Sequence, residues 1–107
     1  ADDMLLIRGV NVYPHAIKDV LVTFQPRITD QFRIVLNEPP PTVQPPLQLK
    51  IEVGEGLSEG EKRPLIHEIE AKLHHILRFR AQVELVPTDT FASAIHKSKL
   101  FIRQYEI

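Results

Sequence analysis

The heptapeptide LQLKIEV, Leu47 to Val53, alternates without an error: Leu47, Leu49, Ile51 and Val53 fall on one side, Gln48, Lys50 and Glu52 on the other. Side chains of an extended chain project to opposite faces in turn, so this pattern specifies a strand with one face on a core. Gly54 and Gly56 end the strand, and Ser58 with Glu61 three residues later has the spacing of a helix capping box. Leu65, Ile66, Ile69, Leu73, Ile76 and Leu77 then recur at helical spacing, with Glu68, Glu70, Lys72 and Arg78 mostly opposite. Pro64 argues that the regular part of this helix starts later than Ser58. Ala81, Val83 and Leu85 return to strand period before Pro87.

The first half follows the same order. Met4 to Val12, MLLIRGVNV, is apolar and β-branched and is broken at Gly9, as a bent strand or a short hairpin would be. Pro14 suits the first turn of a helix, whose buried stripe is Ile17, Val20, Leu21 and Phe24 and whose stop is Pro26. Phe32, Ile34 and Leu36 alternate with Arg33, Val35 and Asn37 as a second strand. The stretch from Glu38 to Pro46, EPPPTVQPP, has room for neither ladder nor helix and reads as a stiff surface connection. The expected fold class is therefore α+β: a β-α-β-β-α-β, ferredoxin-like small domain. It places two helices on one face of a mainly antiparallel sheet, leaves the other face exposed or covered by a partner, and ends in an extended C-terminal tail.

At 107 residues the chain has room for one core. Thirteen Lys and Arg against 14 Asp and Glu give a net charge of -1, so no global positive field points to nucleic acid or an anionic membrane. The absence of cysteine removes disulfides, thiolate metal sites and a Cys nucleophile. No apolar run approaches the ~20 residues of a spanning helix. The expected location is the cytoplasm, with neither nucleic acid nor membrane as a partner.

No phosphate-cradling glycine motif, paired-histidine zinc motif or nucleophile elbow occurs, so no self-sufficient active site is visible. His67 and His74 lie seven apart and share a helix face, without a third ligand at metal spacing; the expectation is solvated surface and no metal site. The paired carboxylates Asp2 and Asp3 precede the first strand. Gly9, lacking a Cβ, would let a ligand or another backbone approach closely, or would simply make a hairpin turn. The tail carries Lys97, Lys99 and Arg103 among small residues, which fits a mobile lysine reaching an anion outside the domain, or a basic solvated tail.

The opening string DDMLLIRGVNVYPHAIKDVL resembles the start of the C-terminal domain of the phenylacetate-CoA ligase family, within the adenylate-forming acyl-CoA synthetases. That family has a segment of the form GR-x-DD-M-[LI]-x-[IV]-RG-x-N-[VI]-x-P between a large ATP-binding domain and a small mobile one. Asp2, Asp3, Met4, Ile7, Arg8, Gly9, Asn11 and Pro14 match it. The likeness continues through FRIVL, the long amphipathic helix and RAQVELVP, and the start at Ala1 suggests a domain excised just after the family's Gly-Arg.

The resemblance implies a two-step reaction: ATP and a carboxylic acid, aromatic in this family, give an acyl adenylate, and the CoA thiol then displaces AMP. It assigns Asp2 to the hinge, Arg8, Gly9, Val10 and Asn11 to the loop facing the CoA channel, and Lys97, with Lys99 as second choice, to adenylation. The tail, FASAIHKSKLF, departs from the family's LPRSEGKAxR at Ala92, Ser93 and His96. The organisation implied is 1–13 hinge and CoA-loop hairpin, 14–86 core, 87–107 lysine tail. ATP, Mg2+ and CoA would serve the full-length enzyme, with none held by this domain alone. The implied partners are the N-terminal adenylation domain of the same chain and the acid substrate, with a homodimer possible. The alternative is a non-catalytic ferredoxin-like regulatory or ligand-binding module.

Overall fold

Strand β4 (Leu47–Val53) sits inside a four-stranded sheet, as its alternation requires, with Leu47, Leu49 and Ile51 at most 1 % exposed. The structure, a computed structural model, describes residues 4–93 and 99–106. β4 pairs antiparallel with β3 (Ile28–Leu36), where Ile34 faces Leu49, and parallel with β5 (Ala81–Val86), where Leu49 faces Val83. A short last strand, β6 (Phe101–Arg103), runs parallel to β3 and completes the order β5-β4-β3-β6. The first two strands, β1 (Leu5–Ile7) and β2 (Val10–Val12), form a separate antiparallel hairpin.

In outline this is the expected α+β, ferredoxin-like domain. The pairing differs in detail, because the four-stranded sheet is mixed rather than mainly antiparallel. The cause lies in the connections: α2 (Glu59–Leu77) carries the chain from the end of β4 back to its start, which forces β5 to lie parallel to it.

Helix α1 (Pro14–Leu21) begins at its proline and tightens into a 3₁₀ turn, Val22–Phe24, before Pro26. Its buried residues Ile17, Val20 and Leu21 meet Leu65, Ile69 and Leu73 of α2 in one cluster with Phe32, Ile34, Leu36, Leu47, Leu49, Ile51 and Val83. These sheet residues alternate along their strands, so both helices cover a single face. Burying a side chain of Leu or Ile size contributes about 1.5–3 kcal/mol, which makes this cluster the main support of the fold. Ile76, on the apolar stripe of α2, remains 49 % exposed.

Helix α2 starts at Glu59 and runs through Pro64, one turn earlier than the proline alone suggests. The cap explains this. The Ser58 hydroxyl and backbone N–H both donate to one oxygen of Glu61, at 2.7 and 3.0 Å. The hydroxyl hydrogen bond first, then the backbone one, hold the Glu61 carboxyl below its ordinary value of 4.5. Because the folded pKa is the lower one, this stabilisation is complete above the unfolded value and lost as pH falls through the folded value. Glu61→Gln is therefore expected to lower the urea midpoint at pH 7, with the gap to the parent closing as pH drops below about 4. A gap constant from pH 7 to pH 3 would contradict the assignment.

Candidate functional site

β1 and β2 are joined by Arg8 and Gly9, with φ of 50° and 76°. Two consecutive left-handed residues make the tight turn whose twist matches a hairpin, and glycine at the second position takes it without a Cβ penalty. Nothing lies within 4 Å of where a Gly9 Cβ would be. The turn therefore needs glycine for its backbone angle, and the space around it is open. Arg8, Gly9 and Asn11 are exposed and Val10 is half-buried. Leu5, Ile7 and Val12 root the hairpin in the core. Its outer edge docks on the proline-rich connection: Leu6 N–H donates to the Pro41 carbonyl at 2.8 Å, and Val43 N–H to the Leu6 carbonyl at 2.9 Å.

Two expected site residues, Asp2 and Lys97, lie outside the described residues. Lys99 is described and exposed. It lines a concavity of about 330 Å³ with Pro14, His15 and Lys18 of α1 and Asp30 and Arg33 of β3. Immediately beyond it the Leu100 carbonyl accepts Ile34 N–H at 2.9 Å, so the chain is fixed to β3 from that point.

Upstream, the path of the tail is set by a side chain that sequence reading had placed on the polar face. Glu52 is 2 % exposed. Its carboxylate accepts Phe91 N–H at 2.7 Å, the Thr29 hydroxyl at 3.1 Å and Asp89 N–H at 3.3 Å. Thr88 adds a hydroxyl hydrogen bond of 2.6 Å to the Val53 carbonyl. Arg33, 4 % exposed, lays its guanidinium 4.4 Å from the centroid of the Phe91 ring and donates to the Phe32 carbonyl at 2.8 Å. Burial lowers the pKa of Arg33, and the charge of Glu52 partly offsets that. The face of the sheet away from the helices is thus closed at this end by the start of the tail. The signal available in the sequence was Val35, an apolar residue sharing that face with Arg33 and Glu52.

His67 and His74 do share a helix face, and both line one groove with His75. Among the described residues no three His, Asp or Glu side chains converge so as to hold a metal ion. No helix among them is long and apolar enough to cross a membrane.

A helix-backed mixed sheet with a projecting glycine turn and a tail pinned beside it defines a small α+β domain of ferredoxin-like outline. Residues 9–104 match the family model described as AMP-binding enzyme C-terminal domain, and the chain belongs to that family. No curated protein matches it by sequence. It is similar to 2-hydroxyisobutyryl-CoA ligase solved in the postadenylation state with R3-HIB-AMP: TM-score 0.81, 27 % identity, 97 % of this chain and 22 % of that one. The same ligase with 2-HIB-AMP and CoA in the thioesterification state matches with TM-score 0.77 and 28 % identity, over 95 % of this chain and 21 % of that one. A domain of phenylacetate-coenzyme A ligase from Bacteroides vulgatus ATCC 8482 shares the fold at TM-score 0.74 and 23 % identity, over 96 % of this chain and 95 % of that one. The chain spans about a fifth of the length of the 2-hydroxyisobutyryl-CoA ligase it matches.

Proposed function

We propose that the chain is the mobile C-terminal domain of an ATP-dependent, AMP-forming acid–CoA ligase of the phenylacetate-CoA ligase type. In this reading the parent enzyme converts a carboxylic acid, aromatic by resemblance, to its acyl adenylate and passes the acyl group to CoA. The observation that carries the reading is the Arg8–Gly9 turn: two left-handed residues, exposed, with open space around the glycine, on a hairpin outside the main sheet. Such a turn can enter a narrow channel where a side chain at Gly9 would obstruct. The likeness to a ligase solved with CoA in the thioesterification state supports it.

The division of labour follows from charge and shape. Lys97 would bring an ammonium to the carboxylate and α-phosphate oxygens, lowering their repulsion as they approach and stabilising charge in the transition state. Lys99 is the second choice for that role. Asp2 would serve as the hinge about which the domain turns, so that tail and hairpin reach the same centre in successive steps. Arg8, Gly9, Val10 and Asn11 would face the pantetheine of CoA. Mg2+ accompanying ATP would be held by the nucleotide and the N-terminal adenylation domain. The chemistry at those positions is cytoplasmic in kind, since its substrates are ATP and CoA.

The test uses the parent enzyme and separates its half-reactions. Gly9→Val is expected to slow thioester formation from supplied adenylate at least tenfold while pyrophosphate release is largely kept, since it adds both bulk and backbone strain. Lys97→Ala is expected to do the opposite. Equal loss of both half-reactions in each variant would refute the assignment. The regulatory-module alternative predicts saturable binding of a small effector such as an amino acid to the 107-residue chain, with no effect of Gly9→Val on thioester formation.

A further inference from the structure

β3 ends at Leu36 and β4, its antiparallel neighbour, starts at Leu47. Such strands can be joined by two residues, yet residues 37–46 make this join ten long. Five of the chain's nine prolines lie in it. Each ring fixes its own φ near about −65°, so the extra length is stiff rather than slack. Both ends are fastened: the Leu36 carbonyl accepts Gln104 N–H at 2.9 Å, and Leu47 N–H donates to the Arg80 carbonyl at 2.9 Å. The Glu38 carboxylate closes the segment on itself by accepting Gln44 N–H at 3.3 Å.

What the segment meets is the hairpin. Thr42 lies beside Leu6 in a parallel bridge, flanked by the hydrogen bonds of Leu6 with Pro41 and Val43. Leu6 is the middle residue of β1, two before Arg8. Val43, 8 % exposed, belongs to the buried cluster that includes Leu5, Ile7 and Val12. Pro45 and Pro46 line one groove with Arg8 itself. The hairpin is a sheet of its own with three residues a side, and a lone two-stranded hairpin is at best marginally stable. The connection supplies it with a third, rigid margin. Blunting an exposed strand edge needs far less: on β5 one carboxylate, that of Glu70, accepts Val83 N–H at 2.9 Å.

We propose that the proline-rich connection is a brace that aims the CoA loop, with Val43 as its positioning residue. By bonding Leu6 on its outer edge and burying Val43 among the core residues of the hairpin, the segment sets the direction in which the Arg8–Gly9 turn points. It acts through the hairpin, not on the substrate. A turn that must enter a narrow channel tolerates little error in direction, and a misplacement of about 1 Å can slow a reaction roughly a hundredfold. The inference rests on the function proposed above, because it needs the turn to serve CoA.

The experiment measures both half-reactions of the parent enzyme, with hydrogen exchange read by mass spectrometry over residues 4–12. Val43→Ala is expected to slow thioester formation from supplied adenylate about tenfold at saturating CoA, with pyrophosphate release kept within about twofold of the parent. Adenylation in the same sample counts the folded enzyme, so a damaged fold would lower both rates together. Exchange over residues 4–12 is expected to quicken while that over β4 is unchanged. Val43→Ile keeps the branched side chain and is expected to restore thioester formation to within about threefold. Replacing Pro39 and Pro40, both exposed, by glycine leaves the core intact and is expected to give the same split at about threefold. Equal loss of both half-reactions, unchanged exchange over residues 4–12, or full thioester formation despite faster exchange overturns the inference. Gly9→Val measured alongside tells the two readings apart. A split there without one in the Val43 and proline variants removes the brace alone, and no split in any of them removes the ligase reading with it.

Discussion

Gly54→Ala is expected to destabilise the domain by about 3 kcal/mol or more, enough to unfold much of a population whose total stability is on the order of 5–15 kcal/mol. A Cβ at Gly54 would overlap the Pro26 carbonyl oxygen, which is backbone and has no rotamer by which to retreat. Both sides of the contact are fixed. Gly54 N–H donates to the Arg27 carbonyl at 2.8 Å, and the next pair along, Ile28 opposite Val53, begins the β3–β4 ladder. Relief requires the strands to part where the sheet starts, at the expense of that hydrogen bond and of the packing of Ile28, which is 2 % exposed. Gly60→Ala is the internal control: it lies within α2 with nothing within 4 Å of a new Cβ, and is expected to stabilise by about 0.5–1 kcal/mol. Urea titrations of both variants measure the difference, and near-parental stability of Gly54→Ala would show that the close approach is not maintained.

Glu52→Ala carries the second large effect, about 3–5 kcal/mol. It removes the acceptor for Phe91 N–H, Asp89 N–H and the Thr29 hydroxyl, and takes away a negative charge that acts on the buried Arg33 guanidinium. Most of that penalty arises from what is left behind, not from the strength of the contacts themselves. A double-mutant cycle separates the two: Arg33→Met with Glu52→Leu is expected to cost clearly less than Glu52→Leu alone, with a coupling of about 1–3 kcal/mol. Amide exchange at Phe91 should accelerate in Glu52→Ala, because its donor loses a buried partner. Additive single-variant effects would show that the two side chains act separately.

The legible parts of the fold were those decided by local periodicity. Leu47–Val53 was readable to the residue because its alternation is complete, and the pairing of Pro14 with Ile17, Val20 and Leu21 was enough for α1. Gly9 within an apolar run announced the turn. Parts decided by distant contacts were not readable. Glu52 looks like a solvent-facing acid along its own strand, and only the return of residues 88–91 over that face buries it. β6 is three residues long and exists through pairing with β3, Ile34 opposite Phe101, which no local pattern records. Pro64 misled about the start of α2 because the Ser58–Glu61 cap outweighs the single hydrogen bond the proline forgoes. For the site, the histidine spacing on α2 was visible, whereas the arrival of Arg8 beside it depends on how the hairpin docks.

Glu70 has one further consequence. β5 is an outer strand of the sheet, and an outer strand exposes donors and acceptors that another molecule's backbone can pair with. The carboxylate of Glu70 reaches over from α2 and occupies the Val83 N–H, while Pro87 bars the ladder from continuing past Val86. The opposite border is only three residues long. Among the described residues, the β5 margin is thus interrupted at Val83 and stopped at Pro87 and the β6 margin is short, so strand addition by another molecule's backbone is disfavoured at both.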